Sequence, residues 1–135
     1  MGWIVCIMSV LSNKNFKELL DNLIRELSNE FIKSFKIGVT ESIVERQNDS
    51  DYTGYQLFRL AYIDSDKAKS AEEEVISFFL SSSVKNKCEN NLKAAGAGQI
   101  KDAKELYIAI RATRSTDRQY YLDVISILKD ENIKI

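Results

Sequence analysis

The sequence predicts an α/β (α+β) domain built on a small central sheet, mixed or antiparallel, of three to four strands flanked by helices. Three observations predict it. Short apolar runs rich in β-formers recur at residues 3–10 (WIVCIMSV), 34–40 (SFKIGVT), 55–63 (YQLFRLAYI) and 106–112 (LYIAIRA). Between them lie two stretches with apolar residues at helical spacing. No internal repeat or linker divides the 135 residues, so residues 1–135 read as one domain, able to bury roughly two thirds of its unfolded surface.

Taken in order, the run 3–10 reads as a buried first strand. Asn15, with Glu18 three residues on, is the expected N-cap of a helix reaching to about Lys33. Its stripe of Phe16, Leu19, Leu20, Leu23, Leu27 and Phe31 serves either the core or a dimer surface. The second strand, 34–40, contains Gly38, and a glycine inside a strand marks a close approach to the backbone. Thr40 is the expected cap of a short helix through about Gln47, followed by a polar loop over 48–54. In the third strand, Gln56, Phe58, Leu60 and Tyr62 alternate with Tyr55, Leu57, Arg59, Ala61 and Ile63. A helix then spans about 66–80. Residues 81–104, with Gly96 and Gly98, read mostly as loop before the fourth strand. Thr116 and Gln119 form a capping box for a last helix with Tyr121, Ile125 and Leu128 on one face. The helix joining the first two strands allows a parallel crossover or an antiparallel pair.

Composition excludes a good deal of chemistry. With no histidine, the chain has no Ser-His-Asp or Cys-His pair, no histidine-ligated zinc or haem and no imidazole base. Cys6 and Cys88 have no CxxC partner and predict neither a metal knuckle nor a disulfide framework; Cys6 reads as a buried free thiol. The apolar run 2–11 is too short to span a bilayer and carries no basic leader. Together these predict a cytoplasmic protein that does not engage a membrane. Nineteen basic against twenty acidic side chains, a net charge of −1, require any nucleic-acid site to be a local patch.

Two patterns carry chemistry. On the helix after the third strand, Ala68, Glu72, Val75, Ile76 and Phe79 share a face, so Glu72 falls within the apolar stripe while Glu73 and Glu74 point to its flanks. A carboxylate there costs a few kcal/mol unless it is paired or metal-bound. The second pattern is basic. It comprises Lys36 on the second strand, Arg46 on the following helix and Arg59 on the third strand; if these strands are neighbours, Lys36 and Arg46 converge on an anion. Arg111, Arg114 and Arg118 cluster where the last strand meets the last helix, a setting suited to phosphate.

These residues, read as an ordered series, resemble the GIY-YIG nuclease superfamily. The run Phe35-Lys36-Ile37-Gly38-Val39-Thr40, Arg46 eight residues after the glycine, and Glu72 followed by Val75, Ile76 and Phe79 are similar to its phage- and virus-associated KIGxT branch. Residues 2–7 resemble that branch's opening strand. Gly96-Ala97-Gly98 and Glu105-Leu106-Tyr107 resemble its closing segments. The resemblance implies an endonuclease that hydrolyses DNA phosphodiesters with Mg²⁺ or Mn²⁺. In it, Arg46 would neutralise the phosphate, Glu72 would hold the metal, and Lys36 would occupy the slot of the second motif's first tyrosine. The first motif's own tyrosine is replaced by Val5 or Ile4, leaving Tyr52 or Tyr55 as the phenols on offer, with Tyr55 the catalytic candidate. The histidine or polar residue often found just beyond the arginine is also missing, and a helix separates the two motifs, which are usually joined by a short connection. Three readings stay open: the nuclease; a lapsed relative that binds DNA, another nucleic acid or a nucleotide through Arg59, Arg111 and Arg114; and an interaction module, including a homodimer.

Overall fold

Strand order is set by which strand can be buried on both faces. In Glu105–Ala112 (β3), Leu106, Tyr107, Ile108, Ala109 and Ile110 are all buried, a continuous run suited to a central position. Ile32–Thr40 (β1) and Gln56–Tyr62 (β2) flank it, both antiparallel, in the order β1-β3-β2. The computed structural model describes residues 9–90, 102–114, 118–128 and 133–135. Among them the sheet has three antiparallel strands with flanking helices, an α+β fold. Most of the expected strand 3–10, with Val5 and Cys6, lies outside the described residues, as do Gly96, Gly98 and Thr116. Val10–Ser12, where that strand should end, is a 3-10 turn.

The long amphipathic helix is Lys14–Leu27 (α1). Its cap is Asn13 rather than Asn15: the Asn13 Oδ1 accepts from the Phe16 N–H at 3.0 Å. It also stops short of Lys33, because the Ser28 hydroxyl turns back onto Ile24 O and Asn29 Oδ1 accepts from the Phe31 N–H. Those two bonds turn the chain into β1. Phe16, Leu19, Leu20, Leu23 and Leu27 are buried in the chain's own core, so this stripe is not a dimer surface. They pack with Phe35, Ile37, Leu106, Ile108 and Ile110 of the sheet, and with Val75, Ile76 and Phe79 of Ala68–Leu80 (α3). The Phe35 and Phe79 rings meet edge-on at 5.1 Å.

On the last helix, Arg118–Leu128 (α4), Val124 is buried and Ile127 and Leu128 are partly so. Of the expected face, Leu128 packs on the core, Ile125 points to solvent at 42% exposure, and the Tyr121 side chain lies outside the described residues.

The sheet edges are occupied. Residues 88–90 run parallel to β1, with Glu89 N–H donating to Phe35 O and the Asn90 amide bonding both Ile37 N–H (2.7 Å) and Ile37 O (3.0 Å). The tail at Ile133–Ile135 brackets Tyr62 at the β2 edge in the same way. No helix among the described residues is long and apolar enough to cross a membrane.

Glu74 ties the start of the chain down. Its carboxylate accepts from the Val10 and Leu11 N–H groups, each at 3.1 Å, and from the Ser9 hydroxyl. Removing a charged acceptor from part-buried donors costs about 1–3 kcal/mol. Glu74→Ala is therefore expected to lower the urea midpoint by that amount, while Glu73→Ala stays within about 0.5 kcal/mol.

Candidate functional site

One face of the sheet carries the core; the other carries the polar chemistry. Alternation along β1 puts Ser34, Lys36, Gly38 and Thr40 on this second face. Opposite them stand Arg111, Ala109, Tyr107 and Glu105 of β3, with Leu57 and Arg59 of β2 beyond. Ile43–Gln47 (α2) and the turn Ser50–Tyr52 cover part of it. The cap of α2 is Ser42, whose hydroxyl accepts from Glu45 N–H. Thr40, the expected cap, instead bonds Ser42 through its own hydroxyl.

At the centre of this face Tyr107 lies across Gly38, its direct partner in the β1–β3 register. A Cβ at position 38 would overlap the phenol's Oη and Cζ, so the close approach foreseen at this glycine is that of the tyrosine ring. The Tyr107 hydroxyl is hydrogen-bonded to that of Tyr52. Burial, followed by the bond to Tyr52, pushes its pKa well above the usual phenol range. Arg46 opposes that rise and Glu72 adds to it, so both charges act on this one hydroxyl. Arg46 also lies beside Tyr52, the hydroxyl partner of Tyr107, whereas Glu72 acts on Tyr107 only through its charge.

Beside this centre runs a row of alternating cations and rings. The Arg46 Cζ lies 5.8 Å from the Tyr52 ring centroid. The Lys36 Nζ sits between two rings, 4.3 Å from Tyr52 and 4.6 Å from Tyr55. The Arg111 Cζ is 4.3 Å from the Tyr55 ring. Each contact is within cation–π range. Tyr55 donates its hydroxyl to Glu89 Oε1 at 2.5 Å, and Ser34 donates to Oε2 at 2.5 Å. Burial and the adjoining Glu89 carboxylate push the Tyr55 pKa up to about 12, with Arg111 pulling the other way.

The remaining candidates fall elsewhere. Arg59 is separated from Lys36 by β3, so the strands that carry them are not neighbours, although Lys36 and Arg46 both lie against the Tyr52 ring. The Arg59 Nη1 pairs with Glu105 Oε1 at 3.1 Å and its Cζ lies 4.3 Å from the Tyr62 ring. The other Glu105 oxygen accepts from Ile43 N–H, so this pair anchors the start of α2. Arg114 is exposed, 5.9 Å from the Phe31 ring. The side chain of Arg118 lies outside the described residues. Arg46 opens onto a cavity of about 240 Å³ lined by Thr40, Glu41, Glu45 and Asp49, and its Nη1 is 3.7 Å from Asp49 Oδ2.

Among the described residues no three acidic or cysteine side chains form a metal cluster. Glu72 offers a single half-buried carboxylate. One carboxylate suits Mg²⁺ or Mn²⁺ only when substrate phosphate and water complete the shell, so the residues fit such an ion in a substrate-dependent form.

Tyr107 is the site residue that reading by motif overlooks as a hydroxyl, although its strand is found. The signal is Gly38: a glycine between Ile37 and Val39 of a strand asks what lies over it.

Gly38→Ala is expected to cost about 1–3 kcal/mol by overpacking. In a Tyr107→Leu background the same change should cost much less, a coupling measurable by urea denaturation. The raised Tyr55 pKa also has a pH signature. Between about pH 10 and 12 the unfolded phenol loses its proton while the folded one keeps it, so stability falls as pH rises through this window, by on the order of 2 kcal/mol. Tyr55→Phe removes that share, so the stability gap between it and the parent protein should narrow from pH 8 to pH 11.5. Comparison of the chain with protein-family models, curated proteins and solved structures finds no match.

Proposed function

We propose that this protein is a metal-dependent endonuclease of the GIY-YIG type, hydrolysing phosphodiester bonds of DNA. The observation that carries the reading is Arg46, 5.8 Å from the ring of Tyr52, whose hydroxyl is bonded to that of the buried Tyr107. A cation for phosphate and a fixed hydroxyl, with Glu72 as the carboxylate for a hard divalent ion, form a minimal phosphoryl-transfer set.

The roles follow from the chemistry of each group. The planar guanidinium of Arg46 matches two phosphate oxygens and offsets the charge that develops as water adds to phosphorus and the bond to the leaving oxygen breaks. Glu72 is the residue that would hold Mg²⁺ or Mn²⁺. Such an ion, when bound, supplies Lewis acidity at the phosphate and raises the acidity of water. Tyr107 keeps its proton across the physiological range, so it orients water by hydrogen bonding rather than acting as a base. Tyr52, bonded to it, holds that orientation. This pair takes the place of the tyrosine missing from the first motif. Lys36, whose ammonium rests against the Tyr52 and Tyr55 rings, is assigned to phosphate binding rather than to moving a proton. The Tyr55 hydroxyl is occupied by Glu89 and receives no catalytic role here.

A second reading, a module that holds nucleic acid without cutting it, is favoured by the cation–ring row, which works without a metal.

Supercoiled plasmid incubated with the purified protein and Mg²⁺ or Mn²⁺ distinguishes them. The nuclease reading expects nicking that falls at least about 100-fold in Glu72→Gln and in Arg46→Ala. It expects a fall of about tenfold in Tyr107→Phe. Undiminished cutting by Glu72→Gln overturns it, and binding without any cutting selects the second reading.

A further inference from the structure

The row beside the reaction centre has a geometry of its own. Arg46, Tyr52, Lys36, Tyr55 and Arg111 alternate cation and ring without a break. Three like charges are concentrated there on a chain whose net charge is −1. The row follows the strands. Tyr107, Ala109 (the partner of Lys36) and Arg111 succeed one another every second residue of β3, a step of roughly 6.6 Å. Neighbouring cations, each pair sharing one ring, lie within about 10 Å of each other, a span that phosphates of a single nucleic-acid strand can bridge. The exposed anions nearest the row do not cancel it. Glu89, which accepts from the Tyr55 and Ser34 hydroxyls, and Asp49, paired with Arg46 at 3.7 Å, offset only part of the three positive charges.

We infer that the row Arg46–Lys36–Arg111 is a backbone track that binds three phosphates of one nucleic-acid strand and leads it into the Arg46–Tyr107 centre. The tyrosine rings are covered by the protein's own cations, so they present no free stacking face for a base. Their part is to hold the cations in line, which lowers the entropy lost on binding. Recognition is therefore of phosphate alone, without base readout. A phospholipid surface or an acidic peptide offers no single strand of phosphates. The inference rests on the proposed function in taking Arg46 as the ligand of the phosphate at the centre.

The test is equilibrium binding to a fluorescent 20-base-pair duplex in EDTA, where no cutting intervenes, across a salt series. Each neutralised phosphate contributes about −0.9 to the slope of log K against log salt, so the three cations contribute about −2.7. Lys36→Gln and Arg111→Gln should each reduce the slope by about 0.9 and weaken duplexes of unrelated sequence equally. Tyr55→Leu, which removes the ring, should bind more weakly at nearly the parent slope. Slopes unaffected by both cation variants overturn the track, as does a strong sequence preference. Binding to phosphatidylserine vesicles with the same dependence on Lys36 and Arg111, in place of duplex binding, also overturns it. Cutting in Mg²⁺ by a protein whose slope ignores Lys36 and Arg111 removes the track and leaves the nuclease. The expected slopes without cutting remove the nuclease and leave the track.

Discussion

The polar face of this protein depends on one steric fact: the phenol of Tyr107 occupies the space where a side chain at position 38 would stand. Because Gly38 leaves that space open, a residue of the central strand can lay its ring over the neighbouring edge strand. There its hydroxyl meets Tyr52 and comes under the charges of Arg46 and Glu72. With any side chain at 38 the ring must shift, and the point on which α2 and the 50–52 turn converge shifts with it.

The same face solves an electrostatic problem by using rings as spacers. Lys36, Arg46 and Arg111 repel one another, and burying any of them unpaired is costly. The Tyr52 and Tyr55 rings stand between them with negative π faces directed at the cations, and Glu89 fixes the outer ring through its hydroxyl. The charges remain partly exposed, able to attract an anion, yet held in a defined line. Arg59 illustrates the contrary use of charge. Paired with Glu105 and lying over Tyr62, it joins β2 to β3 and to the start of α2.

Much of the fold is legible in the sequence where local pattern and local energy agree. The α1 stripe, the α3 helix and the apolar runs of all three strands follow from periodicity alone. The errors occur where side-chain hydrogen bonds choose between near-equivalent positions. Asn13 and Asn15 are both good caps, and only the bond to Phe16 N–H separates them. The end of α1 at Leu27 is set by Ser28 and Asn29, residues whose backbone bonding no apolar period records. That Ile125 of α4 faces solvent is settled by how the helix docks. Among the three glutamates of α3, sequence distinguishes a face but not a partner: it is Glu74 that secures residues 9–11.

By itself the sequence determines which chemistries are open. Without histidine they reduce to carboxylate, guanidinium, ammonium, phenol and thiol. Tertiary structure alone decides the order β1-β3-β2. That order separates Arg59 from Lys36 and places Tyr107, nearly seventy residues downstream, directly opposite Gly38. The reason is physical. Periodicity reports which side of an element is apolar, a property of a few adjacent residues. Strand order and the overlap of a ring with a distant glycine are decided by burial of β3 on both faces, a property of the whole packed chain.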